Sequence, residues 1–413
     1  MPTLLQGRSL GCGEGARSGA ALSVARRRAR RALSIYVHIP FCIQKCGYCD
    51  FNAYLYREPL ARAYLAALRR EILHTAAERP WEGYRVPSVY FGGGTPSTLA
   101  PEDLRSLLDL LCTNFPVQTD AEITAEVDPG TIDLSGLEAL RAAGFNRLSL
   151  GIQAFNDGLL HRLGRLHSAA DARRVLAWAR RAGFVDLNLD LIFGLPGQAL
   201  ADWEEGLQEA LAFAPTHVSV YGLTIEAGTP FARRQQLGQL VLPDEEMQAV
   251  MFEGADHLLT AAGYLHYEIS NYALPGWRSC HNLHYWRHGE YLGFGAGAHA
   301  YVNGYRRENE RLPARYTRAI AERGCAAGVP ECIDGERRIH EGLMVGLRLQ
   351  EGIDLAAFGR DYGVSLAAVY AAPIAELTQA GHVQIADGRL RLTARGRIVA
   401  DAVLDRLLGP GLV

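Results

Sequence analysis

Short apolar runs alternate with amphipathic, helix-length segments from Ser34 onward. The apolar runs are residues 34–39, 88–93, 121–127, 146–152, 185–194 and 217–223. Continuous apolar runs separated by helices are typical of parallel strands that are covered by helices. Six such units within about 200 residues predict an α/β fold with a barrel-like array of strands, such as an incomplete TIM barrel.

The pattern divides the chain of 413 residues into four parts. Residues 1–32 hold seven arginines and one acid without hydrophobic periodicity, which predicts a disordered basic leader. A transit peptide and a mis-assigned start remain alternatives for this segment. Residues 33–242 make the barrel and residues 243–334 a linking region. Residues 335–413 are predicted to form a mixed α+β, winged-helix-like domain, with helices around an Asp–Gly hairpin.

Composition limits the classes of function. The formal net charge is −3, which gives no indication of a nucleic-acid partner. No apolar run approaches the roughly 18 residues that span a bilayer, so any membrane association would be peripheral, through the basic leader. The eight cysteines show no disulfide framework, which is typical of a cytoplasmic protein. Composition does not decide between a monomer and a homodimer.

Three cysteines follow the first apolar run with the spacing CxxxCxxC: Cys42, Cys46 and Cys49. Thiolate is the usual protein ligand of iron–sulfur clusters. Three thiolates would leave one iron of a [4Fe–4S] cube open to a small molecule. The alternative is a zinc site, but zinc sites close with four protein ligands and usually use paired CxxC units, and no second unit follows. The spacing therefore predicts a [4Fe–4S] cluster.

Polar residues and glycines also follow the other predicted strands, where the chemistry of such folds is located. Gly92, Gly93 and Gly94 end the second run, where they would let a ligand approach the backbone; a plain tight turn is the alternative. Asp190 lies within an otherwise apolar strand. A buried carboxylate costs several kcal/mol unless it is paired, so we expect Asp190 to contact a ligand or an arginine such as Arg165.

The segment YVHIPFCIQKCGYCDF, residues 36–51, resembles the signature of radical S-adenosylmethionine (SAM) proteins. Its flanks resemble the branch that contains coproporphyrinogen III dehydrogenase (HemN) and the heme chaperone HemW. The resemblance extends from about residue 34 to the C terminus and implies a (β/α)6 partial barrel that binds a [4Fe–4S] cluster and SAM. It assigns SAM contacts to Tyr36, Gly92, Gly93, Gly94, Thr95, Glu126, Gln153, Arg165 and Asp190.

A second motif, HNLHYW at residues 281–286, matches the HNxxYW signature of HemW proteins. An imidazole with aromatic neighbours suits an axial ligand beside a flat apolar macrocycle. The resemblance therefore predicts that His281 contacts heme. The alternative, that His281 makes structural hydrogen bonds and the aromatic side chains belong to the core, stays open.

The resemblance leaves two functions open. A HemW-type chaperone would bind heme and pass it to acceptor hemoproteins, such as respiratory membrane enzymes. A coproporphyrinogen III dehydrogenase would use SAM in the radical decarboxylation of propionate side chains. Dehydrogenases carry a further cysteine two residues after the third, where this chain has Phe51. Phe51 and the HNLHYW motif favour the chaperone, and whether the chain is an enzyme stays open.

Overall fold

The computed structural model describes residues 30–78 and 81–409. Most of the predicted leader, residues 1–29, lies outside this part of the chain. Within it, Arg31 and Ala32 already belong to the first strand.

The chain forms seventeen strands. They are β1 (Arg31–Ile39), β2 (Phe41–Cys42), β3 (Tyr54–Leu55), β4 (Tyr84–Gly93), β5 (Val117–Val127), β6 (Arg147–Gln153), β7 (Asp186–Phe193), β8 (His217–Gly222), β9 (Leu265–His266), β10 (Asn271–Ala273), β11 (Glu290–Phe294), β12 (His299–Val302), β13 (Tyr305–Glu308), β14 (Glu331–Cys332), β15 (Ile353–Asp354), β16 (Val383–Ala386) and β17 (Arg389–Leu392) in the described residues.

Sixteen α-helices and one short 3-10 turn (Pro96–Thr98) lie between these strands in the same described ranges. The helices are α1 (Glu58–Glu78), α2 (Pro101–Asn114), α3 (Leu134–Ala142), α4 (Asp157–Leu163), α5 (Ala169–Arg181), α6 (Leu200–Ala212), α7 (Pro230–Gln236), α8 (Glu245–Ala261), α9 (Cys280–Trp286), α10 (Pro313–Arg323), α11 (Gly335–Gly346), α12 (Leu355–Tyr362), α13 (Leu366–Val369), α14 (Ala371–Gln379), α15 (Ala394–Ile398) and α16 (Ala400–Leu408).

The main sheet confirms the predicted partial barrel. Strands β1, β4, β5, β6, β7 and β8 are neighbours in that order, and each pair is parallel. A further parallel strand, β11, pairs with the other edge of β1 and was not predicted. Antiparallel strands β12, β13 and β14 continue the sheet beyond β11, and β10 and β9 continue it beyond β8. The predicted linking region therefore extends the barrel sheet on both sides.

The side chains of β1 point alternately to the two faces of the sheet. Ile35, Val37 and Ile39 are fully buried in the hydrophobic core that the barrel shares with its helices. The residues between them, Tyr36 and His38, point to the opposite face, since successive strand side chains alternate. The core therefore lies outside the barrel, and polar side chains line its interior.

The C-terminal part has a hydrophobic cluster of its own, which includes Leu343, Phe358 and Leu404. Helices pack there against the three-stranded sheet β15–β17–β16. The predicted hairpin is confirmed at Asp387 and Gly388, whose φ angles of 52° and 70° suit the tight turn that joins β16 to β17.

None of the helices within the described residues has the length and apolar character needed to cross a membrane.

Candidate functional site

The cysteine loop follows β1 at the carboxyl end of the barrel. None of Cys42, Cys46 and Cys49 forms a disulfide within the described ranges. Gly47 of the loop makes backbone hydrogen bonds to two elements that are distant in sequence. The Gly47 amide donates to Leu163 O at 3.2 Å, and the Phe231 amide donates to Gly47 O at 2.9 Å.

Glycines bring the end of β4 against this loop. A Cβ at Gly94 would lie 2.9 Å from both the nitrogen and the oxygen of Phe41. Gly93 has φ of 118° and rests against the His38 ring, so a side chain is excluded there as well. This approach places Thr95 Oγ1 3.5 Å from Cys42 Sγ. Gly94 therefore lets the end of β4 approach the start of the cysteine loop, whereas Gly92 packs against Tyr90 and Glu126.

The donor set of the loop fits a [4Fe–4S] cluster. Cys42, Cys46 and Cys49 supply three thiols, and each thiolate of a cubane binds a different iron. Burial raises the pKa of Cys42 to about 11 and also raises the pKa of Cys49. Cluster binding would therefore release protons from these thiols.

Two partly buried carboxylates, Glu126 of β5 and Asp190 of β7, face the barrel interior. Glu126 accepts hydrogen bonds from the Tyr90 hydroxyl at 2.9 Å and from the Gly93 amide at 3.0 Å. Burial, reinforced by the charge of Asp190, raises the pKa of Glu126 to about 7. Asp190 accepts hydrogen bonds at 2.9 Å from Ser149 Oγ and Asn188 Nδ2.

Of the two partners expected for Asp190, a ligand or an arginine such as Arg165, the arginine is wrong. Arg165 instead donates to Asp128 Oδ2 at 2.5 Å and to Gly151 O at 2.8 Å. Burial alone would raise the pKa of Asp128. The hydrogen bond from His167 and the charge of Arg165 outweigh burial and hold that pKa below its usual value. Since its charge is neutralised by Asp128, Arg165 is unavailable to Asp190.

Arg165 also reaches the cysteine loop. Its Nη1 atom lies 3.7 Å from Cys46 Sγ. The guanidinium therefore connects Asp128 to a cluster thiolate, and sequence analysis did not predict that connection.

The backbone conformation of Gln153 and its unsatisfied side chain both indicate a ligand-binding residue. Its φ is 65°, in the left-handed region that residues other than glycine rarely adopt. Its Oε1 atom is buried and has no hydrogen-bond partner among the described residues. Buried acceptors are normally satisfied, and strained backbone is concentrated at functional sites. A ligand with hydroxyl or ammonium donors, as SAM has, would satisfy Gln153 and the two partly buried carboxylates.

Tyr36 lies beside this group of acceptors. Its ring stacks on Tyr90 with centroids 6.2 Å apart, and its hydroxyl lies 3.0 Å from His38 Nδ1. The structure thus brings together the SAM-binding residues that the sequence predicts on β1, β4, β5, β6 and β7. The aromatic ring supplies an apolar face beside the carboxylates.

The HNLHYW motif lies at the opposite end of the barrel. It forms helix α9, and the backbone amides of Cys280 and His281 donate to the Glu122 carboxylate at 2.7 and 3.0 Å. Glu122 and Glu126 lie on the same strand, β5, with Glu122 nearer its amino end. The motif therefore closes the amino end of the barrel, and sequence analysis missed both the helix and the role of Glu122.

His281 is buried where α9 packs against the amino end of the barrel. Its ring is 2% exposed, and its Nδ1 lies 3.0 Å from Ser88 Oγ. No described residue is a hydrogen-bond partner of its Nε2. Burial lowers the pKa of the ring to about 3, so the imidazole is neutral. Heme ligation by His281 stays a prediction, and it would require α9 to move.

Two protein families match the two parts of the fold. Residues 36–210 match the Radical SAM superfamily, and residues 333–399 match the HemN C-terminal domain. The heme chaperone HemW of Bacillus subtilis is 37% identical over 377 residues, which are 91% of this chain and 99% of the relative. HemW of Escherichia coli is 42% identical over 271 residues, covering 65% and 70% of the two chains. The chain belongs to the HemW family of radical SAM proteins.

A solved structure supports the fold of this HemW-family chain. Coproporphyrinogen III oxidase (HemN) of Escherichia coli, a radical SAM enzyme, superimposes with a TM-score of 0.80 and 28% identity. The match covers 92% of each chain, so it includes the C-terminal part. Membership of the radical SAM superfamily implies a [4Fe–4S] cluster and SAM. The cysteine loop fits the cluster, and the unsatisfied Gln153 Oε1 fits a donor group of SAM.

Proposed function

We propose that the chain is a heme chaperone that binds a [4Fe–4S] cluster, SAM and heme, and transfers heme to acceptor hemoproteins. The observation that carries this proposal is the similarity to HemW of Bacillus subtilis, which extends over 91% of the chain and includes both the barrel and the C-terminal part. The HNLHYW motif agrees with the proposal.

Each residue of the site has a role in this proposal. Cys42, Cys46 and Cys49 would hold the cluster, with Thr95 and Arg165 beside two of the sulfurs. The other predicted contacts on β1, β4, β5, β6 and β7 would hold SAM. When bound, the cluster can supply an electron to SAM, whose cleavage gives a carbon-centred radical.

A second candidate is coproporphyrinogen III dehydrogenase, because the HemN structure matches 92% of the chain. One residue beside the cluster argues against it. Phe51 occupies the position at which the dehydrogenases carry a further cysteine, and its side chain is 64% exposed at the rim of the loop. A phenyl ring cannot replace a thiol.

The partners in this proposal are heme and acceptor hemoproteins, for example respiratory enzymes in a membrane. The chaperone would act in the cytoplasm and approach the membrane surface peripherally. A homodimer is compatible with the proposal.

A parallel assay tests the proposal. Anaerobically reconstituted protein would be mixed with SAM and a reductant, and then with either hemin or coproporphyrinogen III. We expect stoichiometric heme binding, transfer of that heme to an apo-cytochrome, and no decarboxylation. Formation of protoporphyrinogen would identify the dehydrogenase, and failure to bind heme would refute the chaperone.

A further inference from the structure

The Glu122 carboxylate of β5 holds the amino end of α9. It accepts hydrogen bonds from the backbone amides of Cys280 and His281, and its Oε1 lies 3.4 Å from Ser279 Oγ. Of the seven residues that the structure describes in α9, His281 alone is buried. Segments with few buried contacts open most readily. The attachment of α9 to the barrel therefore depends on what Glu122 binds.

A buried cation lies beside Glu122 on the next strand. Arg147 of β6 pairs in register with Thr124 of β5, so Glu122, two residues before Thr124, shares the interior face of the sheet with Arg147. The Arg147 side chain is 2% exposed. Burial alone would lower its pKa, but the charges of Glu122 and Asp186 outweigh burial and raise the pKa. The guanidinium is therefore charged, and Glu122 is near enough to stabilise that charge.

Arg147 is incompletely paired while α9 is in place. Its Nε lies 3.5 Å from Asp186 Oδ2, and no described residue accepts a hydrogen bond from that Nε. Asp186 already accepts a hydrogen bond from Thr216 Oγ1 at 2.8 Å. In the same region, Thr124 Oγ1 and His281 Nε2 also lack hydrogen-bond partners among the described residues. Buried polar groups without partners cost free energy, so the closed arrangement leaves the amino end of the barrel unsatisfied.

The two ends of α9 are held differently. After the carboxyl end, the His288 ring stacks on Tyr301 of β12 and on Tyr362 of α12, with interplanar angles of 5° and 6°. Before the amino end, Gly276 has φ of 90°, and a Cβ there would meet nothing within 4 Å. A glycine in open space can absorb a change in chain direction. The amino end of α9 can therefore leave the barrel while its carboxyl end stays on the C-terminal part.

We propose that Glu122 exchanges partners when heme binds. It releases the amides of α9 and pairs with Arg147, and the freed end of α9 exposes His281. The exchange gives the buried guanidinium a full partner and makes His281 Nε2 accessible. Glu122 and Arg147 are then positioning residues that act on heme through α9. This inference rests on the proposed function and supplies the movement of α9 that heme ligation by His281 requires.

Hydrogen exchange of residues 278–288 tests the partner exchange. Mass spectrometry would follow it in the reconstituted full chain with and without hemin. We expect hemin to speed exchange at the amides of Cys280 and His281, because Glu122 releases them. Arg147→Met removes the alternative partner of Glu122. In that variant the same two amides should exchange more slowly without heme, and the heme affinity should fall at least about fivefold, because fewer molecules have the open arrangement.

Two further variants separate this role from a structural one. Arg147→Lys keeps a cation with which Glu122 can pair, so it should retain the exchange rate and the heme affinity of the wild type. Arg174→Met removes an arginine of α5 whose side chain is 52% exposed, and it should change neither. If Arg147 only supported the packing beneath α9, Arg147→Met would speed the exchange of the two amides. The two roles therefore predict changes of opposite sign.

The outcomes distinguish this inference from the proposed function. Faster amide exchange or unchanged heme affinity in Arg147→Met would overturn the partner exchange, and so would wild-type amides that stay protected with hemin bound. In each case a wild type that binds and transfers heme would leave the proposed function standing. A wild type that binds no heme would refute the proposed function and, with it, the movement of α9 for heme. The hemin-dependent change in the wild type requires no variant, so it decides the question even if Arg147→Met does not fold.

Discussion

The ring of Tyr90 stacks on the imidazole of His281, with 5.0 Å between the ring centroids and 28° between the planes. The hydroxyl of the same tyrosine donates to Glu126 Oε1. One side chain therefore joins the helix that closes the amino end of the barrel to a carboxylate of the predicted SAM site. We therefore expect the HNLHYW motif to support SAM binding indirectly, through packing on Tyr90.

Removing the Tyr90 hydroxyl should weaken SAM binding. Tyr90→Phe keeps the stack on His281 but leaves Glu126 with one hydrogen bond fewer. A hydrogen bond contributes about 0.5–1.5 kcal/mol, so we expect the SAM dissociation constant to rise by about two- to twelvefold. Isothermal titration calorimetry on reconstituted protein measures this. Tyr272→Phe removes a hydroxyl near Asp256 and should not change SAM affinity; equal affinities of both variants would contradict the role of Tyr90.

Glu126 should make the stability of the apo-protein depend on pH. Its pKa is raised from 4.5 to about 7 by burial and by Asp190. The folded state therefore holds a proton that the unfolded state loses above pH 4.5, and stability falls as pH rises from about 4.5 to 7. At 1.36 kcal/mol per pKa unit the loss is at most about 3 kcal/mol.

Glu126→Gln cannot lose this proton. As pH rises from about 4.5 to 7, the difference between the free energy of unfolding of Glu126→Gln and that of the wild type should therefore increase in favour of the variant. Urea denaturation at several pH values measures this difference. Glu204→Gln, at an exposed position of α6, should follow the wild type. Parallel pH profiles for all three chains would show that Glu126 titrates normally.

Local patterns were sufficient to predict the six barrel strands and the cysteine loop. Strand β11 was missed because it has only five residues, of which Gly293 is the fourth, and its pairing with residues 33–37 of β1 and with β12 makes it a strand. That pairing is set by tertiary packing, which a local pattern does not encode.

The sequence offered candidate residues for the site but could not show how they pair. An acid within an apolar strand such as Asp190 shows that a partner is needed, but not which one. Ser149 lies on the neighbouring strand β6 and Asn188 two residues away on β7, so both share the barrel interior with Asp190. The left-handed backbone of Gln153 gives no signal in sequence, because glutamine is not a residue that favours it.

Gly94 should not tolerate a side chain. Its Cβ would contact backbone atoms of Phe41, which cannot rotate away. We expect Gly94→Ala to destabilise the chain by about 1–3 kcal/mol and to lower the iron content after reconstitution, because the cysteine loop starts at this contact. Gly254→Ala is the control, since nothing lies within 4 Å of its Cβ in α8. It should stabilise the chain by about 0.5–1 kcal/mol. Thermal unfolding of the two variants would show shifts of opposite sign, and equal shifts would contradict the close approach.

Arg165→Gln should destabilise the apo-protein, because it leaves the Asp128 charge buried without its cation. The side chains are 10% and 20% exposed, and breaking a buried pair costs about 3–5 kcal/mol. Urea denaturation would measure this loss. Arg174→Gln breaks the exposed pair with Asp171 on α5 and should cost less than about 1 kcal/mol.

A double-mutant cycle separates the ion pair from the contact of Arg165 with Cys46. Asp128→Asn removes the charge that Arg165 neutralises, so Arg165→Gln should cost much less in that background. Cluster binding should respond differently. The guanidinium lies 3.7 Å from Cys46 Sγ, a contact that does not involve Asp128, so we expect Arg165→Gln to lower iron retention in both backgrounds. Iron retention that returns to the wild-type level in the double variant would show that Arg165 acts on the cluster only through Asp128.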